Sequence, residues 1–233
     1  MLFRSDVLDA TSKVLDNLLN QAPGCEGVLF CGQMGGVILA DSCGEPMSPY
    51  FSWRDLRTTE PTLNTGSTKP PTHFERVTSL LGSNQLAAVG NELKPGSALT
   101  LLSWMAERAD VTGAIPLDIG DFIVAYLCDA EPRFERTQAI GLLDLTTRDW
   151  RRTAFERLSI SHLDWPQLTD FKTPIGKMEW QGRTIPCYPC VGDQQAALAG
   201  ALLSDGELSL NISTGSQVSR LSREVRAGQF QTR

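Results

Sequence analysis

Short apolar runs alternate with longer stretches of helical periodicity along this chain of 233 residues. We predict strands at 27–31, 37–40, 140–145 and 208–213, and helices at 5–21, 73–81, 97–108, 118–128, 150–158 and 194–203. An alternation of this kind is typical of an α/β fold built on a parallel or mixed sheet.

Composition excludes several classes of function. The chain is 41% hydrophobic and 21% charged, with a net charge of −6, so no basic surface indicates a nucleic-acid partner. No apolar run is long enough to span a bilayer, and the first residues lack the features of a signal peptide. We therefore expect a cytoplasmic protein with neither nucleic acid nor membrane as a partner.

Two cysteines have the spacing of a redox motif, Cys187 and Cys190. A zinc site needs about four ligands, and the chain offers no second pair of this kind and only two histidines. The segment after Cys190 also delays any helix, unlike a thioredoxin-like site. We predict structural cysteines in an apolar strand, and no metal site, with a redox or zinc protein as the alternative.

The most informative local pattern surrounds Asp193, which follows an apolar segment and a glycine and precedes an alanine-rich stretch, 194–203. A carboxylate there lies near the positive end of a helix and at the edge of a sheet, where α/β proteins bind ligands. The small residues of that helix indicate close packing. A plain helix N-cap is the alternative that spacing alone leaves open.

Three further segments can be either binding elements or ordinary turns. The turn at 211–216 can direct N–H groups at phosphate, yet such turns also connect hairpins. The glycine-rich segment at 32–36 allows close backbone approach, and Gln33 can pair with hydroxyls, but a tight hairpin fits equally. Trp53 can pack against a sugar, but a half-buried Trp followed by a surface ion pair would look the same.

The order of these segments resembles that of the FGGY carbohydrate kinases, which include glycerol kinases, xylulokinases and sedoheptulokinases. The matching pieces are Gln33-Met34-Gly35-Gly36, Trp53-Arg-Asp55-Leu-Arg57-Thr58, Asp121 to Leu127, Leu143-Asp144 to Trp150, and Gly192-Asp193-Gln194-Gln195-Ala-Ala. The segment 210–216 is closest to sedoheptulokinase-like members. The resemblance covers roughly residues 5 to 220.

The resemblance implies an actin-like, ribonuclease-H-like α/β lobe of a sugar kinase, with a mixed sheet, flanking helices and a cleft. It implies that ATP and Mg²⁺ are the cofactors and that a small sugar is the substrate. The roles it implies are Asp193 as general base, Gln194, Gln33, Met34 and Gly35 as sugar-binding residues, Trp53 as an aromatic wall, and Thr214 and Gly215 as phosphate-binding residues.

The chain also departs from the family pattern. Position 35 is Gly where xylulokinase-like members carry His, and position 213 is Ser where many members have Gly. The family's glycine-rich phosphate hairpin and adenosine lobe do not appear in these residues. We therefore expect a lobe incomplete at both ends, with a sugar-binding part at 1–203 and the start of a nucleotide-binding part at 204–233.

A chain of this kind is expected to be inactive by itself. It is expected to act as a homodimer or with a second chain that supplies the missing lobe. The alternative function is a non-catalytic sugar-binding or degenerate kinase-like module, and the residues do not name the sugar.

Overall fold

The computed structural model describes residues 4–61, 70–212, 216–225 and 230–232. Six helices run through them: α1 (Arg4–Gln21), α2 (His73–Ala88), α3 (Ala98–Ala106), α4 (Ile119–Leu127), α5 (Arg152–Arg157) and α6 (Asp193–Gly200), with a short 3-10 turn at Arg57–Thr59. No helix in this described part combines the length and apolar character that crossing a membrane requires.

Eleven strands accompany the helices in the same described residues. They are β1 (Val28–Gly32), β2 (Ile38–Ala40), β3 (Ile115–Leu117), β4 (Arg133–Glu135), β5 (Leu143–Asp144), β6 (Asp149–Trp150), β7 (Gln167–Thr169), β8 (Gly176–Trp180), β9 (Arg183–Gly192), β10 (Leu208–Asn211) and β11 (Gln217–Arg220).

The longest strand, β9, organises the sheet on which the candidate site lies. It pairs in parallel with β1 and antiparallel with β8, so the sheet order is β1-β9-β8. The register slips by one residue between Leu29 and Phe30, which is a β-bulge. The remaining strands form two-stranded pairs: β2 with β3, β4 with β7, β5 with β6, and β10 with β11. The α/β fold with a mixed sheet is therefore confirmed.

Two apolar clusters hold these layers together. The larger includes residues of β2, β3, α2, α3 and α5, and in it Phe155 stacks on Trp165 at 3.7 Å between ring centroids. The smaller lies against the three-stranded sheet, where Leu19 of α1, Val124 of α4 and Ile185 of β9 are buried together. Helices α1 and α4 therefore fix the position of β9 by packing against its buried side chains.

Two predicted elements differ from the structure for identifiable reasons. The strand predicted at 140–145 is too long, because Gly141 has a φ of +73° and only Leu143–Asp144 pairs with a neighbour. The helix predicted to end at residue 81 continues to Ala88, since Gly82 introduces a kink instead of an end.

The sequence pattern around Asp193 correctly predicted that this residue opens α6, but it did not predict how the helix packs. None of its described residues is buried by the rest of the described chain, so the expected close packing of its small residues is wrong. The hairpin of β10 and β11 is similarly open, with Leu208, Leu210 and Val218 exposed.

Candidate functional site

The two parallel strands of the main sheet end side by side. In their register Gly32 of β1 stands opposite Gly192 of β9, so Gln33 and Asp193 leave the sheet from the same edge. The carboxyl ends of neighbouring parallel strands are where open α/β sheets bind ligands. Because β1 pairs with β9 and β2 pairs with β3, the tight hairpin considered for 32–36 is not what forms.

The side chain of Gln33 joins two aromatic residues. Its Oε1 accepts a hydrogen bond from Trp53 Nε1 at 3.1 Å, and its Nε2 donates to the Tyr50 hydroxyl at 2.7 Å. Tyr50 in turn donates to the carbonyl oxygen of Gly35 at 3.2 Å. This network holds Trp53, whose side chain is 49% exposed, over the segment that follows β1.

Tyr50 was not anticipated from the sequence. It is buried, and burial together with the nearby charge of Asp118 raises the pKa of its hydroxyl, which therefore stays protonated and can donate. A single tyrosine is common in protein cores, so no sequence signal marked Tyr50 as part of this network.

The two glycines after Met34 allow the close approach of this segment to the aromatic residues. Gly35 and Gly36 have φ values of +80° and +81°, which favour glycine. A Cβ atom on Gly36 would lie 2.5 Å from the Tyr50 hydroxyl oxygen, and one on Gly35 would lie 3.4 Å from Trp53 Cβ. A histidine at position 35, as in xylulokinase-like sequences, would strain this backbone.

Met34, which follows β1, contacts the end of β9 at the same sheet edge. A Cβ atom on Gly192 would lie 2.6 Å from Met34 Sδ, so this side chain packs directly on the residue that precedes Asp193. The thioether thus covers the end of β9, and glycine at position 192 leaves room for it.

Asp193 is exposed and stands at the first position of α6, with Gly192 as the N-cap residue. Its Oδ1 accepts a hydrogen bond from the backbone N–H of Gln194 at 2.8 Å. The simple N-cap interpretation is therefore not what forms, since the cap belongs to the preceding residue. Burial and the charge of Asp193 raise the pKa of the Cys31 thiol, which belongs to β1 directly before Gly32.

Gln194 points toward the hairpin that follows α6. Its Nε2 donates to Ser219 Oγ of β11 at 3.1 Å. Its predicted contact with the sugar stays a prediction. The predicted phosphate-binding residues Thr214 and Gly215 lie outside the described residues, between β10 and β11.

Beneath the edge, two buried aspartates interact at the start of α4. Asp118 Oδ1 caps the helix by accepting from Gly120 N at 2.6 Å and from Asp121 N at 3.2 Å. Burial raises the pKa of Asp118 to about 6 and that of Asp121 well above its usual range, and the charge of Asp118 raises the latter further. Burial and the closeness of the two carboxyl groups both disfavour the charged form of this pair.

The cysteines of the redox-like pair lie within β9, as predicted for structural residues. Cys187 and Cys190 are both buried free thiols. Burial and the charges of Asp118 and Asp121 raise the pKa of Cys190, which disfavours a reactive thiolate. Within the described part of the chain, no group of three or more His, Cys, Asp and Glu side chains could hold a metal ion.

The structure therefore brings Gln33, Met34, Gly35 and Trp53 together, and places Asp193 beside them at the same sheet edge. Gln194 follows on α6 but is turned to β11. The arrangement offers an exposed carboxylate at the same sheet edge as an aromatic face and an amide, groups that can bind a small polyhydroxylated ligand.

Comparison with known proteins finds similarity to sugar kinases. No protein-family model matches the chain. In sequence it is 24% identical over 167 residues to a xylulose kinase of Staphylococcus xylosus, an alignment that covers 69% of this chain and 32% of that protein. The chain thus spans about a third of the length of this curated relative.

Solved structures match over more of the chain. A xylulose kinase from Brucella ovis superimposes with a TM-score of 0.71 at 18% identity, covering 91% of this chain and 43% of that one. A glycerol kinase from Plasmodium falciparum, solved with ADP, gives a TM-score of 0.65 at 20% identity over 82% of this chain and 40% of that one. The fold is that of one part of these larger proteins.

Proposed function

We propose that this chain, which resembles the FGGY carbohydrate kinases in sequence and has the fold of one of their lobes, forms the sugar-binding side of a kinase active site. The reaction is the ATP-dependent phosphorylation of a hydroxyl group of a sugar or polyol. Asp193 is the general base.

One observation carries this proposal: the parallel pairing of β1 with β9 ends at Gly32 and Gly192. It supports a single site because the segment from Gln33 to Gly35 and the carboxylate of Asp193 follow these two glycines directly. An exposed carboxylate at the edge of a sugar-binding surface can accept a hydroxyl proton while the hydroxyl oxygen attacks a phosphoryl group.

The wall has unused hydrogen-bonding capacity. The Gln33 amide uses one N–H for Tyr50 and one lone pair for Trp53, which leaves one donor and one acceptor for sugar hydroxyls. The half-exposed face of Trp53 can pack against the C–H side of a sugar ring or chain. Gln33 thus orients the aromatic wall and contributes a polar contact at the same time.

The nucleotide and its metal ion rest on the family resemblance. Among the described residues no three His, Cys, Asp or Glu side chains form a metal cluster, and the predicted phosphate contacts Thr214 and Gly215 are not among these residues. ATP supplies the phosphoryl group. The chemistry assigned to this chain is the binding of the sugar and the removal of its hydroxyl proton by Asp193.

The test is Asp193→Asn in the full-length protein, assayed with Mg-ATP and a panel of ketoses and polyols. We expect kcat to fall by at least about a hundredfold while sugar affinity, measured by calorimetry, changes little. Asp164→Asn is the matched control, since Asp164 is an exposed aspartate outside this edge, and it should leave kcat unchanged.

Two results would contradict the proposal in different ways. Wild-type turnover in Asp193→Asn would remove Asp193 as the base. Sugar binding without any sugar-dependent ADP release in the unsubstituted protein would favour a non-catalytic sugar-binding module.

A further inference from the structure

The end of β9 is held by a side chain that the site described above does not include. The backbone N–H of Gly192 donates a hydrogen bond to the Thr137 hydroxyl oxygen at 2.7 Å. Gly192 is buried and is both the last residue of β9 and the N-cap of α6, directly before Asp193. The contact joins two positions 55 residues apart in the sequence.

A buried carboxylate fixes the direction of this hydroxyl. Glu135, whose residue is only 2% exposed, accepts hydrogen bonds at Oε2 from Thr137 N at 2.6 Å and from the Thr137 hydroxyl. Because the hydroxyl proton goes to Glu135, a lone pair of the same oxygen faces Gly192. The pKa of Glu135 is raised by burial, and its hydrogen bonds with Thr137 offset only part of this shift.

The same turn is anchored from α4. Asp121 accepts from Glu135 N at Oδ2, at 2.7 Å, and from Cys190 N at Oδ1, at 3.1 Å. Cys190 and Gly192 are thus both held by side chains, from α4 and from the turn after β4 respectively. The end of β9 is therefore held at two residues by elements other than the neighbouring strand.

We propose that Thr137 is a positioning residue for the reaction, acting through the Gly192 N–H to set where Asp193 stands. The inference rests on the proposed function of Asp193. Asp193 follows Gly192 by one peptide bond, and α6, which the hydrogen bond from Gln194 to Ser219 joins to β11, has no buried residues in the described structure. A general base loses efficiency when its carboxylate moves by a fraction of an ångström from the productive position.

The test compares Thr137→Val with Thr137→Ser in the full-length protein. Valine keeps the shape of threonine and removes the hydroxyl, whereas serine keeps the hydroxyl. We expect kcat to fall about tenfold in Thr137→Val with KM for the sugar within about twofold of wild type, and to recover in Thr137→Ser. Thr78→Val, which removes a hydroxyl that donates within α2, should leave both constants unchanged.

A second measurement reads the hydrogen bond directly. Exchange of the Gly192 amide hydrogen, followed by NMR or mass spectrometry, should become at least about tenfold faster in Thr137→Val and remain slow in Thr137→Ser. A lower kcat with unchanged Gly192 exchange would overturn the inference, because the effect would not pass through this contact. Failure of Thr137→Ser to recover kcat would also overturn it.

Failure of this inference and failure of the proposed function give different results. Wild-type kcat in Asp193→Asn overturns the proposed function. Wild-type kcat in Thr137→Val, beside an inactive Asp193→Asn, overturns only the role of Thr137.

Discussion

Helices α4 and α6 begin in the same way and serve different purposes. Each follows a strand, and each has an aspartate where the helix starts: Asp118 before α4 and Asp193 in α6. Asp118 is buried and caps its helix through two backbone N–H groups. Asp193 is exposed, and its carboxylate accepts a local hydrogen bond from Gln194 N.

The difference lies in what packs against each helix. Most of α4 is buried between the sheet and the larger apolar cluster, including Asp121 on its first turn. Helix α6 buries none of its residues against the described chain. Asp118 on the packed helix is buried and caps the helix through Oδ1, whereas Asp193 on the open helix at a strand end is exposed to solvent. Local sequence is the same in kind, and the packing decides the role.

The largest effect expected from this contrast is on stability. Asp121→Ala leaves the buried N–H groups of Glu135 and Cys190 without their acceptor and should lower the free energy of unfolding by about 2 to 4 kcal/mol. Asp193→Ala should cost less than about 1 kcal/mol, the size of a first-turn helix-dipole interaction. Urea denaturation of both variants measures the difference.

Equal losses of stability in the two variants would contradict the contrast between the helices. Asp121→Asn serves as a milder second variant, since one amide oxygen can still accept one of the two hydrogen bonds. It should fall between wild type and Asp121→Ala.

Both helices were predicted from their sequence patterns, but the contrast between them was not. Periodicity places 118–128 and 194–203 as helices because apolar and small residues repeat at the right spacing. Their packing depends on β9, whose pairing with β1 joins residues more than 150 positions apart, such as Val28 and Cys187. Contacts over such separations have no local signature.

The candidate site shows the same limit. Gln33, Met34, Trp53 and Asp193 carry chemistry that is visible in the residues themselves, and the family resemblance ordered them. Tyr50 and Thr137 are identified only by their hydrogen bonds to Gln33 and to Gly192. Their residue types are common in cores and turns, so only the folded geometry singles them out.

A smaller effect distinguishes the packing of the two helices at glycine. A Cβ atom on Gly120 of α4 would clash with Cys190 Sγ, whereas none of the described residues has an atom within 4 Å of a Cβ atom on Gly200 of α6. Gly120→Ala should destabilise by about 1 to 3 kcal/mol through overpacking. Gly200→Ala should stabilise by about 0.5 to 1 kcal/mol because alanine is the better helix former.

A double substitution identifies the cause at position 120. If the clash with Cys190 is responsible, Gly120→Ala should cost less stability in the Cys190→Ala protein than in the wild-type protein. Thermal denaturation of the four proteins gives the coupling energy, and simple additivity would show that another contact is responsible.

The smallest expected effect tests whether Asp193 is close to the end of β1. Burial and the negative charge of Asp193 raise the pKa of the exposed Cys31 thiol. Removing that charge in Asp193→Asn should lower the pKa of Cys31, so more thiolate is present at neutral pH. Alkylation of Cys31 by iodoacetamide should then become about twofold faster, because the thiolate is the reacting form.

Cys43 provides the internal reference for this experiment. It is also an exposed free thiol, but it lies in the turn after β2, and its alkylation rate should be the same in both proteins. Peptide mapping by mass spectrometry separates the two sites in one sample. An unchanged ratio of Cys31 to Cys43 rates would mean that the Asp193 charge does not reach the end of β1. Since Gln33 leaves the sheet two residues after Cys31, that result would also weaken the single site formed by the two strand ends.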